Sequence, residues 1–360
     1  MNTSNRPGSG RALFLSTTAF GVSFAVWGLI GALAPTFTDL YGLSSTQKSL
    51  MIAVPVLLGS VGRLIAGMAA DRFGGRNVMS ALLLFSALPA FAIGFSTSFN
   101  QLLLFGLFLG IAGTTFPVGV GFTSRWFPPN KQGTALGIYG MGNIGQSIAV
   151  LAAPVLASHI GDWRIVFYIF AGASIIWGVI FYLGAENDTT TARPKSLAES
   201  LAPLKRSATA WVLALFYFLT FGGFVALALY MPTFLREIFA LSPTDAGART
   251  AGFVLVTTIM RPIGGNLADR FGGAKVLVLV FVAVAALSPL LSFDSIVTFT
   301  IGALGCAASL GLGNGAVFKL VPEYFPKETG TVTGLVGAFG GLGGFFPPIE
   351  LGLVKDALGS

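Results

Sequence analysis

The chain is poor in charge, cysteine and histidine. Only 10% of its 360 residues are charged, and it has one Cys and one His. Soluble domains carry about 25% charged residues, so a water-soluble enzyme is excluded. A disordered chain is excluded too, because disorder needs polarity and charge. The lone Cys306 rules out an internal disulfide, a zinc cluster and an iron–sulfur site. The lone His159 rules out a multi-histidine metal site. No nucleotide loop or catalytic triad is present, so no cofactor is expected. The chain does have 54% apolar residues, 33 Phe and 48 Gly, with a mean hydropathy of +0.81. Its net charge of +7 reads as the basic bias of cytoplasmic loops and not as a nucleic-acid surface, because the bases cluster between apolar runs.

A membrane-spanning helix needs about 20 mostly apolar residues. Eleven such runs are predicted at roughly 12–36, 50–70, 77–96, 100–126, 133–157, 164–184, 210–235, 249–268, 275–292, 296–321 and 330–354. The expected fold is an all-α integral membrane protein. The polar stretch 185–209 separates an N-terminal unit (1–184, spans 1–6) from a C-terminal one (210–360, spans 7–11). Met1–Gly10 is polar and no removable signal peptide is read. The bases Arg6, Arg11, Arg72, Arg76, Lys131, Arg193, Lys195, Lys205, Arg206, Arg270, Lys275 and Lys327 fall on one side. The other side holds a near-balanced set: Asp39, Lys48, Asp162, Arg164, Arg236, Glu237, Asp245, Arg249 and Asp294. The N-terminus is therefore expected in the cytoplasm. Eleven spans put the C-terminus outside, and a twelfth helix is expected beyond Ser360.

The chain repeats itself. RLIAGMAADRFGGRNV (63–78) and RPIGGNLADRFGGAKV (261–276) match at ten of sixteen positions, 198 residues apart. WFPPNKQGTALG (126–137) resembles YFPKETGTVTG (324–334) with one residue deleted. Each half is thus a six-helix unit whose second copy lacks its sixth span. Two parallel repeats are the architecture of a two-bundle carrier, with a site between the bundles; duplication without carrier function is the plainer alternative.

Arg63 and Arg261 occupy the same place in the repeat. Each is expected about 18–20 Å from its helix start, inside the hydrocarbon layer, where an arginine costs about 2.5–3.5 kcal/mol. A buried Arg–carboxylate pair would explain them, as would snorkelling. No carboxylate stands at that depth: Asp71 and Asp269 lie at helix ends, Glu323 and Glu328 at a helix mouth, and Glu350 toward the outer end of span 11. Two permanent cations without an acid call for a mobile anion. The guanidinium fork suits a planar oxyanion. Lys319, near the inner end of span 10, is read as snorkelling, with a gating role as the alternative.

Span 5 carries Gly133, Gly137, Gly140, Gly142 and Gly145. Span 11 carries Gly330, Gly334, Gly337, Gly340, Gly341, Gly343 and Gly344. Each interior glycine weakens a helix by about 1 kcal/mol, so close backbone approach is expected in return, against neighbours such as spans 2 and 8. Rocking of the helices, or tight packing alone, would both use it. Asn143 could reach a substrate or cap a kink.

The segment Gly67 to Arg76, with Asp71 and Arg72, resembles the loop 2–3 signature of the major facilitator superfamily. Its second copy, with Asp269 and Arg270, has Ala274 where a base belongs. More narrowly, AVPVLLGSVGRLIAGMAADRFGGR (53–76), GTALGIYGMGNIGQSIA (133–149) and GNGAVFKLVPEYFPKETGTVTGLVGAFGGLGGFFPP (313–348) resemble the nitrate/nitrite porter family. The resemblance implies two pseudo-symmetric six-helix bundles and a nitrate or nitrite anion between Arg63 and Arg261. It implies an aromatic sandwich from Phe116 and Tyr217, with Phe221 and Asn143 as softer matches. As a plainer reading, each aromatic is bundle core, and for Phe221 that reading is preferred. Alternatives are a carrier for another small anion of the oxalate or formate type, and a sensor that binds without moving its anion. The partners expected are the anion and the lipid bilayer, with no nucleic acid, and the working unit is expected to be a monomer. Exchange is favoured over proton symport because no acid or histidine lies at mid-depth.

Overall fold

The computed structural model describes residues 6–187 and 207–358. Most of the predicted linker 185–209, with Arg193, Lys195, Lys205 and Arg206, lies outside them. So does the side chain of Glu237. The fold is helical throughout the described residues. Among the described residues, nine helices are long and apolar enough to cross a membrane: α1 (Ser9–Tyr41), α2 (Ser45–Phe73), α3 (Gly75–Gly94), α4 (Phe99–Ser124), α5 (Pro129–Ile160), α6 (Trp163–Gly184), α7 (Ala208–Arg236), α9 (Gly273–Ser292) and α10 (Ile296–Tyr324). Two more, α8 (Pro243–Phe271) and α11 (Thr329–Leu358), have 29 and 30 residues. They complete the eleven expected from the sequence.

Several helices start earlier than their apolar runs because polar caps extend them. Ser44 and Gln47 form a reciprocal capping box at α2. Ser242 accepts from the Asp245 N–H at the start of α8. Lys48, expected in a loop, therefore lies in the first turn of α2, and Arg249 lies in the second turn of α8, where it pairs with Asp245 at 3.3 Å. Four helices are also interrupted. Helix α1 breaks at Leu33, before Pro35. Helix α4 tightens into a 3₁₀ stretch at Gly110–Thr114, and α5 does so at Met141–Asn143. Helix α7 widens into a π turn at Phe218–Gly222.

The apolar exterior is what a bilayer requires. Leu183, Leu279 and Phe95 are among many large exposed apolar side chains. Between the halves the glycines replace side chains with backbone. A Cβ on Gly67 (α2) would collide with the Gly330 carbonyl (α11), and one on Gly265 (α8) with the Gly133 carbonyl (α5). Helix α11 thus lies against α2, and α5 against α8, with backbones in contact. The upper rungs reach further neighbours. A Cβ on Gly145 would strike the Gly21 carbonyl of α1, and one on Gly343 would come 2.5 Å from the Phe218 carbonyl of α7.

Two buried arginines between the halves: the candidate site

Arg63 follows the start of α2 by the same number of residues as Arg261 follows the start of α8. With the longer helices, each lies about 27 Å from the start and about 15 Å from the end. That is deeper than the sequence suggested, and still inside the hydrocarbon layer. Their side chains are 2% and 3% exposed, so neither snorkels. No carboxylate among the described residues pairs with either one. Instead each reaches into the opposite half. Arg63 Nη1 donates to the Gly337 carbonyl of α11 at 2.6 Å. Arg261 Nη1 donates to the Gly140 carbonyl of α5 at 3.0 Å. Gly140 and Gly337 are equivalent in the repeat, so the two contacts mirror each other.

The ring of Phe221 lies between the two cations. Its centroid is 5.6 Å from the Arg63 guanidinium carbon and 5.4 Å from that of Arg261. Phe221, preferred as plain packing from the sequence, is indeed part of the buried core and also lies beside both cations. The π turn of α7 stacks it on Tyr217, at 4.9 Å and 11°. Phe116 and Tyr217 face each other across the halves, with centroids 6.2 Å apart and planes parallel to within 6°. Phe318 of α10 stands edge-on to both, at 4.7 Å and 4.5 Å. Tyr139 stacks on Phe116 at 5.8 Å and donates to the Phe116 carbonyl. Sequence reasoning missed Phe318 and Tyr139. Their only signal was proximity along the chain to Lys319 and to the span 5 glycines.

Several buried polar atoms here make no hydrogen bond of good geometry among the described residues: Arg261 Nε and Nη2, both amide atoms of Asn143 and of Asn314, and the Thr220 hydroxyl. A buried polar group without a partner costs about 1–3 kcal/mol. Asn314 is the repeat mate of Phe116 and was not anticipated. The free N–H donors of Arg261, beside the ring of Phe221, suit a small flat anion. Glu350, the only acid expected inside a span, is exposed and belongs to no part of this site.

Nearer the end formed by the α2–α3 and α8–α9 turns, the halves are clamped twice. Asp71 accepts from the Gly330 and Thr331 N–H groups at 3.2 and 2.8 Å and from the Thr331 hydroxyl at 2.9 Å. Asp269 accepts from the Gly133 and Thr134 N–H groups at 2.9 and 2.8 Å and from the Thr134 hydroxyl at 2.9 Å. Each carboxylate caps the N-terminal part of a glycine-rich helix in the other half, where free N–H groups and the helix dipole favour negative charge. Arg72 and Arg76 play no part in the clamps. They lie over Phe73 and Tyr182 at 5.2 and 4.8 Å, and Arg270 is exposed.

Residues 15–348 match the model of the Major Facilitator Superfamily. The chain is 40% identical, over 96% of its length and 88% of the relative, to the "Nitrite extrusion protein" of Bacillus subtilis. It is 34% identical, over 95% of its length and 84% of the relative, to the "Probable nitrate/nitrite antiporter NarK1" of Thermus thermophilus. Among solved structures, the human organic anion transporter MFSD10 superposes with a TM-score of 0.81 at 16% identity, covering 97% of this chain and 94% of that one.

Proposed function

The chain belongs to the major facilitator superfamily, within it to the nitrate/nitrite porter family, and on that footing we propose that it exchanges nitrate and nitrite across a bacterial inner membrane by alternating access. A family of carriers agrees with the reading as a transporter and not an enzyme, and the helices make it a multi-pass membrane protein. The end carrying the aspartate clamps faces the cytoplasm, as the clustering of bases requires. The working unit is the monomer, since both arginines and all the rings come from one chain.

The observation that carries the reading is the pair of mid-membrane guanidiniums that touch carbonyls and aromatic side chains and, among the described residues, no carboxylate. Each keeps its charge, and each stands where charge is most costly. A flat oxyanion accepts from Arg261 Nε and Nη2 at one edge and approaches Arg63 at another. Between the Phe116 and Tyr217 faces it needs roughly 3.5 Å on each side, so the rings, whose centroids are 6.2 Å apart, part by about 1 Å or more to admit it. Asn143 offers a further N–H donor. Nitrate and nitrite are flat, singly charged and accept hydrogen bonds, which fits. The printed name of the Thermus relative and the absence of a mid-depth acid favour exchange.

Labelled nitrate uptake into proteoliposomes tests this. Internal nitrite should accelerate uptake strongly, and an imposed pH gradient should leave it unchanged. Uptake driven by the pH gradient alone would replace exchange with symport. No uptake of nitrate or nitrite, with oxalate or formate carried instead, would overturn the substrate.

A further inference from the structure

Lys319 was expected to snorkel, and it does not. It is 6% exposed, and its ammonium sits among three oxygens. It donates to the Pro129 carbonyl at 2.7 Å, and it pairs with Glu323 at 3.4 Å and more loosely with Asp269 at 3.9 Å. Glu323 and Asp269 belong to Lys319's own half. Pro129 belongs to the other, in the 3₁₀ first turn of α5. Asp269 grips the next turn of the same helix through Gly133 and Thr134. One end of α5 is therefore held by charges of both signs: a carboxylate on its free N–H groups and an ammonium on the carbonyl before them.

The N-terminal half builds its clamp differently. The repeat mate of Lys319 is Gly121, and the mate of Glu323 is Arg125. Arg125 pairs with Asp71 at 3.2 Å, within its own half, with 31% of its side chain exposed against 8% for Lys319. Water screens an exposed pair far more than a buried one. The two clamps on the cytoplasmic side are thus unequal. The Asp269–Lys319 clamp on α5 is buried and crosses between the halves by ammonium as well as carboxylate. The Asp71–Arg125 clamp on α11 crosses by carboxylate alone.

We propose that Lys319 is the inner latch of the carrier: a positioning residue that holds the first turn of α5 against the C-terminal half, sets the balance between cytoplasm-closed and cytoplasm-open states, and makes the α11 clamp the first to part. This rests on alternating access, but its test reads a distance and needs no transport. Lys319 touches no substrate. It stands next to Phe318, the ring edge-on to Phe116 and Tyr217, so release of the latch shifts the α10 segment that borders the anion site.

Spin labels at Asn77 and Lys275, exposed repeat-equivalent positions in the two halves, report the opening in a Cys306→Ser background. Lys319→Ala should raise the open-to-closed ratio about tenfold, and Lys319→Arg should restore most of the closed population. Glu323→Gln should act in the opposite sense, lowering the ratio about threefold, because the ammonium then settles on Asp269 and Pro129. This second variant decides the matter if Lys319→Ala does not fold. An unchanged distribution in Lys319→Ala, or a rise in the open state in Glu323→Gln, overturns the latch. If the wild-type protein still shifts when nitrate is added, alternating access survives that failure. If no sample moves at all, both readings fall.

Discussion

Arg63 and Arg261 share one place in the repeat, yet their surroundings satisfy them unequally. Arg63 Nε donates to the Gly113 carbonyl at 3.1 Å, and its Nη1 donates across to Gly337. Arg261 donates to a single carbonyl, that of Gly140, beside Tyr217 and the Phe221 ring; among the described residues its Nε and Nη2 make no hydrogen bond of good geometry. The cause lies in the helices alongside. Helix α4 tightens to 3₁₀ over Gly110–Thr114, which turns the Gly113 carbonyl out of the regular ladder and toward Arg63. The repeat mate of Gly113 is Gly311, within the uninterrupted helix Ile296–Tyr324, where its carbonyl stays in the ladder. A duplicated sequence has thus produced one arginine joined to two carbonyls and one joined to a single carbonyl.

The largest expected effect of a substitution follows from that inequality. Arg261→Lys should lower nitrate affinity by about 100-fold, since two charge-assisted hydrogen bonds are worth roughly 1.5–3 kcal/mol each. Arg63→Lys should cost less, about tenfold, because much of its fork is already spent on carbonyls. Titration of both purified variants with nitrate checks the order. Equal losses would remove the distinction between the halves.

The glycine contacts come next. A Cβ at Gly137 would lie 2.6 Å from the Arg261 carbonyl, and one at Gly334 would lie 2.6 Å from the Arg63 carbonyl. Gly137→Ala and Gly334→Ala should each slow exchange about tenfold through overpacking of 1–3 kcal/mol. Gly172→Ala, where a Cβ meets nothing within 4 Å, should leave the rate unchanged. Counterflow in proteoliposomes reads all three, and a slow Gly172→Ala would mean that helix glycines matter for reasons other than close approach.

The smallest effects belong to the clamp hydroxyls. Thr134→Val and Thr331→Val each remove one 2.9 Å bond to an aspartate, and Thr134→Val also removes the acceptor of a 3.3 Å bond from Asn266. Each should shift the open-to-closed distance distribution by about threefold, in line with ~0.5–1.5 kcal/mol per hydrogen bond.

The eleven helices, the repeat and the arginine pair were legible because each is a pattern in the chain itself: apolar length, self-similarity, and a base where no base is cheap. That α5 and α11 pack closely on α2 and α8 was legible through glycine spacing, but which meets which was not: the fold pairs α5 with α8 and α11 with α2. The breaks were not. Gly110–Thr114, Met141–Asn143 and Phe218–Gly222 are set by what packs beside them, since apolar periodicity runs through all three. For the same reason Phe221 looked like packing, although the π turn carries it between the arginines. Lys319 was misjudged because its partners, Pro129 and Asp269, are distant in sequence, and only the contact between α5, α8 and α10 brings them together.

Calorimetric titration of the purified carrier with nitrate, wild type beside Arg261→Lys, addresses the anion site most directly. One anion should bind per wild-type chain, and binding should fall by about 100-fold in the variant while its thermal stability holds. Binding within twofold of wild type would mean that the free edge of Arg261 does not hold the anion, and the site proposed between the halves would be wrong.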